Sequence, residues 1–262
     1  MDTNWVAPSL TDGLGNRLFQ LACAKEYAIK NNKKCVFFLP RCKKTGHGKF
    51  ENIFLLFPNI TLIETENSWK ELHEKQNAWY IYEDLEPVIG PLIINGVRQS
   101  YKYFNTYTLK PNFENCISKD RLIYLNNKYL ESKDNLFFIH LRLGDFCNLS
   151  HHQINLEKYY SEAIQLIPKD ANIIVFSDQT FYAKNIFPNY TICELEDEIE
   201  TLYVMSWCLK GAIVSNSTFS YWGSYFARQN NKDHKAIFPS SLGAGLPSPT
   251  DYYPDYASII ML

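Results

Sequence analysis

Three short runs carry side chains that could do chemistry. In FFIHLRLGDF, residues 137–146, the alternation of an extended strand puts Phe138, His140 and Arg142 on one face. Phe137, Ile139, Leu141 and Leu143 take the other, Gly144 turns the chain, and Asp145 follows. An arginine at a strand exit presents a planar, permanently charged fork that matches a phosphate with paired hydrogen bonds. The same residue could equally close a salt bridge with Asp145 that only ties down a turn, and His140 taken alone fits a hydrogen-bonded structural histidine. In NIIVFSDQ an apolar strand ends in Ser177 and Asp178, suited to a ribose or base edge or simply to a turn or helix cap. In AIVSNSTFSYWG, Ser215, Asn216, Ser217 and Thr218 lie between a strand and a helix. There they either cap the helix or offer an anion its free N–H groups and positive dipole end. Near the N-terminus, DGLGNRLFQ sets Gly13 and Gly15 at a first strand-to-helix turn, allowing close backbone approach to a ligand.

The elements that must position these groups alternate. NWVAPSL reads as a strand, Asn16 to about Lys30 as a helix with an apolar stripe of Leu18, Leu21, Ala22, Ala28 and Ile29, and KKCVFFLP as a strand covered on both faces. From Arg41 to about Asn135 the pattern loosens into strand-like pieces, ITLIE, WYIYE and LIING, between Pro, Gly and Asn. The polar interval LNNKYLESKDN is the expected junction of two lobes, residues 1–130 and 131–262. Beyond it come LFFIHLRL as strand, INLEKYYSEAIQLI as helix, NIIVFS as strand and QTFYAKNIF as a short helix. A helix ended by Gly211, the strand AIVS, a helix from about Thr218 to Arg228 and the strand KAIFP complete the series. Such units imply a parallel sheet with helices on both faces, in which ligands bind outside the carboxyl ends of the strands.

Composition narrows the function. Twenty-six Lys and Arg against 28 Asp and Glu leave a net charge of −2, too balanced for a chain whose main partner is a nucleic acid. No apolar run of about 18 residues exists, and the first residues lack the basic and apolar stretches of a leader, so a cytoplasmic, soluble protein without a transmembrane segment is expected. The seven scattered cysteines form no CxxC pair and read as reduced core thiols. Leu18 stands where a dinucleotide fingerprint needs its third glycine. No GxxxxGK[ST], HExxH, GxSxG or Asp-x-Asp occurs, which points away from P-loop NTPases, zinc proteases, serine hydrolases and transferases that hold diphosphate through a metal.

Taken in order, GLGNRLFQLACAKEYA, NGVRQSYKYF, FFIHLRLGDF, LEKYYSEAI, IIVFSDQ, ETLYVMSWC and VSNSTFSYWGSYF resemble the motifs of the α-1,2-fucosyltransferase family, glycosyltransferase family 11. The resemblance implies an α/β chain of two Rossmann-like lobes, GT-B-like, with a cleft between them and the nucleotide sugar held mainly by the C-terminal lobe. It implies inverting transfer from GDP-fucose to a glycan acceptor, at O2 of a terminal galactose, with no cofactor and no metal. His140, Arg142, Gly144 and Asp145 match HxRxGD, with Arg142 expected on the donor diphosphate. Ser177 and Asp178 match FSD; Asn216, Ser217, Thr218 and Phe219 match the start of NSTFSWWG; and Gly13, Gly15 and Asn16 match GLGN, expected to line the cleft from the N-terminal acceptor-side lobe. Arg17, Leu143, Gln179 and Tyr221 stand where Gln, Arg, Asp and Trp are usual. A general base must reach the acceptor hydroxyl, and Asp145 or His140 is the nearest side chain for that role. The alternatives are a transferase using a different nucleotide sugar and a noncatalytic glycan- or nucleotide-binding protein.

Overall fold

A computed structural model describes residues 4–42, 48–64 and 68–262; Met1–Thr3, part of the leader reading, lie outside that set. The chain folds as two compact α/β units, one of Met1–Asn112 with Pro249–Tyr253, the other of Phe113–Ser248 with Pro254–Leu262. The division falls after Asn112, ahead of the expected junction. The polar interval is instead the end of a helix packed into the second unit, with Leu125, Tyr129 and Leu130 buried.

The first unit runs β1 (Trp5–Pro8), α1 (Leu14–Lys30), β2 (Lys34–Phe38), α2 (Asn52–Leu56), β3 (Thr61–Ile63), β4 (Lys70–Leu72) and β5 (Leu92–Ile94). Its sheet has the order β3-β2-β1-β5-β4, every pair parallel. Helix α1 begins two residues earlier than expected, because the N–H groups of Asn16 and Arg17 both bond the Gly13 carbonyl. Gly13 is the N-cap and Gly15 lies inside the first turn. Leu18, Leu21, Ala22 and Ala28 are buried as expected, but Ile29 is 65% exposed. Burial of Phe19, Cys23, Ala24 and Tyr27 centres the core face of the helix away from that position. WYIYE forms no strand: Trp79 and Tyr80 give their carbonyls to Gln99 and Asp251, and Tyr82 donates to the Asp251 carboxylate, so loop partners replace a ladder.

The second unit contains α3 (Phe113–Cys116), α4 (Lys119–Tyr129), β6 (Leu136–Leu141), α5 (Leu156–Ile164), β7 (Asn172–Ser177), α6 (Thr180–Ile186) and β8 (Thr191–Ile192). It continues through α7 (Glu198–Ser206), β9 (Gly211–Ile213), α8 (Thr218–Asn230), β10 (Lys235–Pro239) and β11 (Ala257–Ile260). Its parallel sheet has the order β11-β10-β9-β6-β7-β8, which puts β6 at the centre, between β9 and β7. As the alternation predicts, Phe137, Ile139 and Leu141 enter one apolar cluster with Tyr159, Tyr160 and Val175, while Phe138 meets the Phe176 ring edge-on. Strand β6 stops at Leu141 rather than Leu143, because the Leu143 N–H is taken by the Asp178 side chain instead of a ladder partner. Gly211 does not end α7. That helix closes at Ser206, the next residues bond back through Leu209 N–H to Lys133 and Lys210 N–H to Leu136, and Gly211 opens β9.

Helix α8 is buried from Ser220 to Ala227. Gly223 lets it lie close on α7, since a Cβ there would stand 2.7 Å from the Met205 sulfur and 2.9 Å from its Cβ. Cys23, Cys193 and Cys208 are buried free thiols, whereas Cys147 is exposed, in a turn beyond β6, and is no core residue.

Candidate active site

The second unit gathers most of the chemistry-bearing residues at the exits of β6, β7 and β9. Arg142 lies just past β6, with its Nη2 2.5 Å from Asp145 Oδ1 and its Nη1 3.0 Å from Asp178 Oδ2. Its Nε is buried without a partner. The guanidinium carbon stands 5.3 Å from the centre of the Phe146 ring, which stacks on His152 at 4.2 Å. Asp178 does double duty, since its Oδ1 also accepts the Leu143 N–H at 3.0 Å. A Cβ on Gly144 would overlap that carboxylate, so the glycine gives Asp178 room to reach over the loop. The Arg142–Asp145 salt bridge weighed from sequence therefore exists, and Asp178 extends it into a three-residue cluster.

His140 faces the β9 exit. Its Nδ1 is 2.8 Å from the Ser215 hydroxyl, which is 3.2 Å from the Ser220 hydroxyl on α8. All three side chains are buried. Burial, with a smaller push from Arg142, lowers the imidazole pKa to about 3, so the ring stays neutral and is a poor proton acceptor. That counts against His140 as a general base and assigns it to positioning: it joins the exits of two neighbouring strands. Tyr160 helps by donating to the His140 carbonyl at 2.6 Å, and the Tyr159 hydroxyl lies 2.5 Å from the Val214 carbonyl and 2.8 Å from that of Ile237. These two tyrosines give LEKYYSEAI its role, which is to satisfy backbone groups at the strand ends.

Beyond Ser215, Asn216 donates through Nδ2 to the carbonyls of His152 and Leu242, at 2.7 and 3.2 Å. Ser217 is the N-cap of α8, its Oγ accepting from Phe219 N–H at 3.4 Å, and Thr218 is the first helical residue. The capping reading thus holds for Ser217, and the dipole end of a long helix points out at the same place. Ser177 accepts from the Gln179 N–H, a local turn. Leu143, where a second arginine is usual, lines an apolar cavity of about 520 Å³ with Leu141, Leu156, Ile164 and Phe187. Among the described residues no group of three or more His, Cys, Asp and Glu side chains is placed to hold a metal ion.

Gly13, Gly15 and Asn16 belong to the first unit. There the Asn16 Oδ1 accepts from Gln99 Nε2 at 2.9 Å, and Gln20 pins the preceding loop through the Thr11 N–H and hydroxyl. Arg98, fully buried at a φ of 51°, bonds Glu83, Asn95 and Leu72, while Glu74 accepts its own N–H and that of Val97. NGVRQSYKYF is therefore a scaffold that sets Gln99 against Asn16. Sequence reasoning missed Gln99, Phe146 and His152 as partners of the site. A glutamine directly after a buried arginine, and an aromatic directly after GD, were the available signals.

The family model for glycosyl transferase family 11 matches residues 91–234, the stretch that holds the three strand exits described above. The chain belongs to that family. It is 31% identical to the O-antigen biosynthesis glycosyltransferase WbnK of Escherichia coli, over 82% of this chain and 88% of the relative. An α-1,2-colitosyltransferase of the same organism is 25% identical over 84% and 87%. Crystal structures of the Bradyrhizobium fucosyltransferase NodZ, among them one of the α-1,6-fucosyltransferase soaked with GDP-fucose, share the fold. In that complex the TM-score is 0.52 and the identity 13%, over 86% of this chain and 93% of NodZ. The protein is thus a family 11 glycosyltransferase with the two Rossmann-like units of that fold. No helix among its described residues is long and apolar enough to cross a membrane.

Proposed function

We propose that this glycosyltransferase moves fucose from GDP-fucose to a hydroxyl of a glycan acceptor, O2 of a terminal galactose, with inversion and without a metal. The observation that carries the reading is the His140–Ser215 contact. It fastens the β6 exit, with Arg142 two residues on, to the β9 exit, with the α8 N-cap two residues on. A permanent cation and a helix dipole at neighbouring strand ends are what a departing diphosphate requires. Arg142 takes a diphosphate oxygen; the N–H groups at Ser217 and Thr218 take others, with the Phe219 ring set beside His140 at 6.2 Å; Ser177 and Asn216 complete the second unit's donor residues, and Gly13, Gly15 and Asn16 are the first unit's candidates. Asp178 acts there by holding the Arg142 loop. As the bond from the anomeric carbon to the diphosphate breaks, these groups stabilise charge growing on the leaving oxygen.

Titration calorimetry with GDP, UDP and dTDP tests the donor: GDP binds markedly tighter than the others. Release of GDP from GDP-fucose with a galactose-terminated acceptor in EDTA tests the rest, and an absence of turnover across a broad acceptor panel would leave a binding protein. A second reading, transfer of colitose, is favoured by the colitosyltransferase relative. Rates with the two sugar donors compared on one acceptor separate them.

A further inference from the structure

The ion pairs of Arg142 pose a problem that the donor reading must solve. Both terminal nitrogens of the guanidinium are engaged by carboxylates, at 2.5 Å to Asp145 and 3.0 Å to Asp178. Nε is buried and faces no partner. With one cation between two carboxylates, a diphosphate adds further negative charge to a cluster that already carries an excess of it. One carboxylate has to yield. Asp178 is the fixed one: it comes from the β7 exit, accepts the Leu143 N–H with its other oxygen and is lodged against Gly144. Asp145 sits on the short turn that follows Gly144, on the same loop as Arg142.

We infer that Asp145 is the base for the acceptor hydroxyl and that it is released for this task by the donor, whose diphosphate displaces it from Arg142 while Asp178 stays in place. The inference rests on the donor reading above. Before the donor binds, the Asp145 oxygen nearest the loop cation is spent on Arg142. Once the diphosphate has taken that nitrogen, the carboxylate can accept a hydrogen bond from the acceptor hydroxyl. In the transfer step the hydroxyl oxygen bonds to the anomeric carbon, the carbon–oxygen bond to the diphosphate breaks with its electron pair leaving on GDP, and the hydroxyl proton goes to Asp145. The protonated side chain returns its proton to water, GDP leaves, and the pair with Arg142 re-forms. The arrangement makes the base available only when a donor is present.

Asp145 and Asp178 touch the same guanidinium but play opposite parts, and this provides the test. GDP affinity is measured by calorimetry for the wild type, Asp145→Asn and Asp178→Asn, with Asp145→Ser beside them in case the amide does not fold. Transfer from GDP-fucose to a galactose-terminated acceptor is followed in parallel. Removing Asp145 removes a competitor, so GDP binds on the order of tenfold tighter, while kcat falls by about a hundredfold or more with the base gone. Removing Asp178 frees the loop, so GDP binds more weakly. If both substitutions shift GDP affinity in the same direction, or if Asp145→Asn keeps its kcat, the handover is wrong. A wild type that fails to prefer GDP over UDP and dTDP overturns the donor reading instead, so the two failures are distinguishable.

Discussion

Burial holds the His140 imidazole neutral down to about pH 3, and His234, buried in the same unit between the Ser224 hydroxyl and the Cys208 carbonyl, behaves alike. Both pKa values lie below that of an unfolded histidine, so between pH 6.5 and about 3 the unfolded chain binds protons that the folded one refuses. Stability from these groups is complete above pH 6.5 and is lost as the pH falls, at about 1.4 kcal/mol per pH unit per histidine. Denaturant melts of His234→Gln and wild type between pH 4 and 7 check this: the variant shows the shallower slope. The same reasoning predicts no limb from His140 in the pH–rate profile. At Arg142 a substitution separates binding from folding. Arg142→Ala lowers GDP affinity and the transfer rate, the latter by roughly a hundredfold as for other preorganised donors, and leaves the far-ultraviolet circular dichroism unchanged. A normal GDP affinity with a lower melting temperature would reduce the residue to a tie for its loop.

Among elements, those whose patterns repeat over a full strand or helix were legible in the sequence: β6, β7, α5 and α8 lie where apolar periodicity puts them. Those that failed depend on partners distant in the chain. WYIYE has the composition of a strand, yet its backbone groups are spoken for by Gln99 and Asp251. β8 and β11 are short edge strands whose existence rests on β7 and β10, which no local pattern reveals. The site followed the same rule. Arg142, Asp145 and the α8 N-cap were visible as residues at strand exits, but the reach of Asp178 across to Arg142 and the hydroxyl link from His140 to Ser220 are tertiary. Helix α8 also shows why a motif residue need not touch substrate. Gly223→Ala gains up to about 1 kcal/mol of helix propensity but forces a Cβ into Met205, an overpacking cost of about 1–3 kcal/mol. A melting temperature lower by a few degrees is expected, partly recovered by adding Met205→Ala; no loss would show that α7 and α8 can part without cost.

At the scale of the whole chain, the backbone passes between the two units more than once. After leaving the first unit at Asn112 and building most of the second, the chain returns at Pro249–Tyr253 to the first before adding β11 to the second. The elements read from the sequence end at KAIFP and leave this stretch, LPSPTDYYPDY, unassigned, because what fixes it is tertiary. The Asp251 N–H and carbonyl bond Tyr80 and Tyr101, its carboxylate accepts from Tyr82 and pairs with Lys102 at 2.6 Å, and Tyr252 is fully buried with its ring 5.8 Å from Phe19 and 5.7 Å from Tyr80. Phe19 belongs to α1, the helix that begins with GLGN, so Tyr252 helps to hold the helix that carries that motif. Tyr252→Ala opens a cavity there and costs about 3–5 kcal/mol, as for other buried aromatic truncations. The loss falls first on the unit that contains the ring. Hydrogen exchange followed by mass spectrometry should show amides of β1, α1 and β5 losing protection while those of β6 and β7 keep theirs. If β6 and β7 weaken in step with β1, the returning segment stabilises the chain as one cooperative body, not the first unit alone.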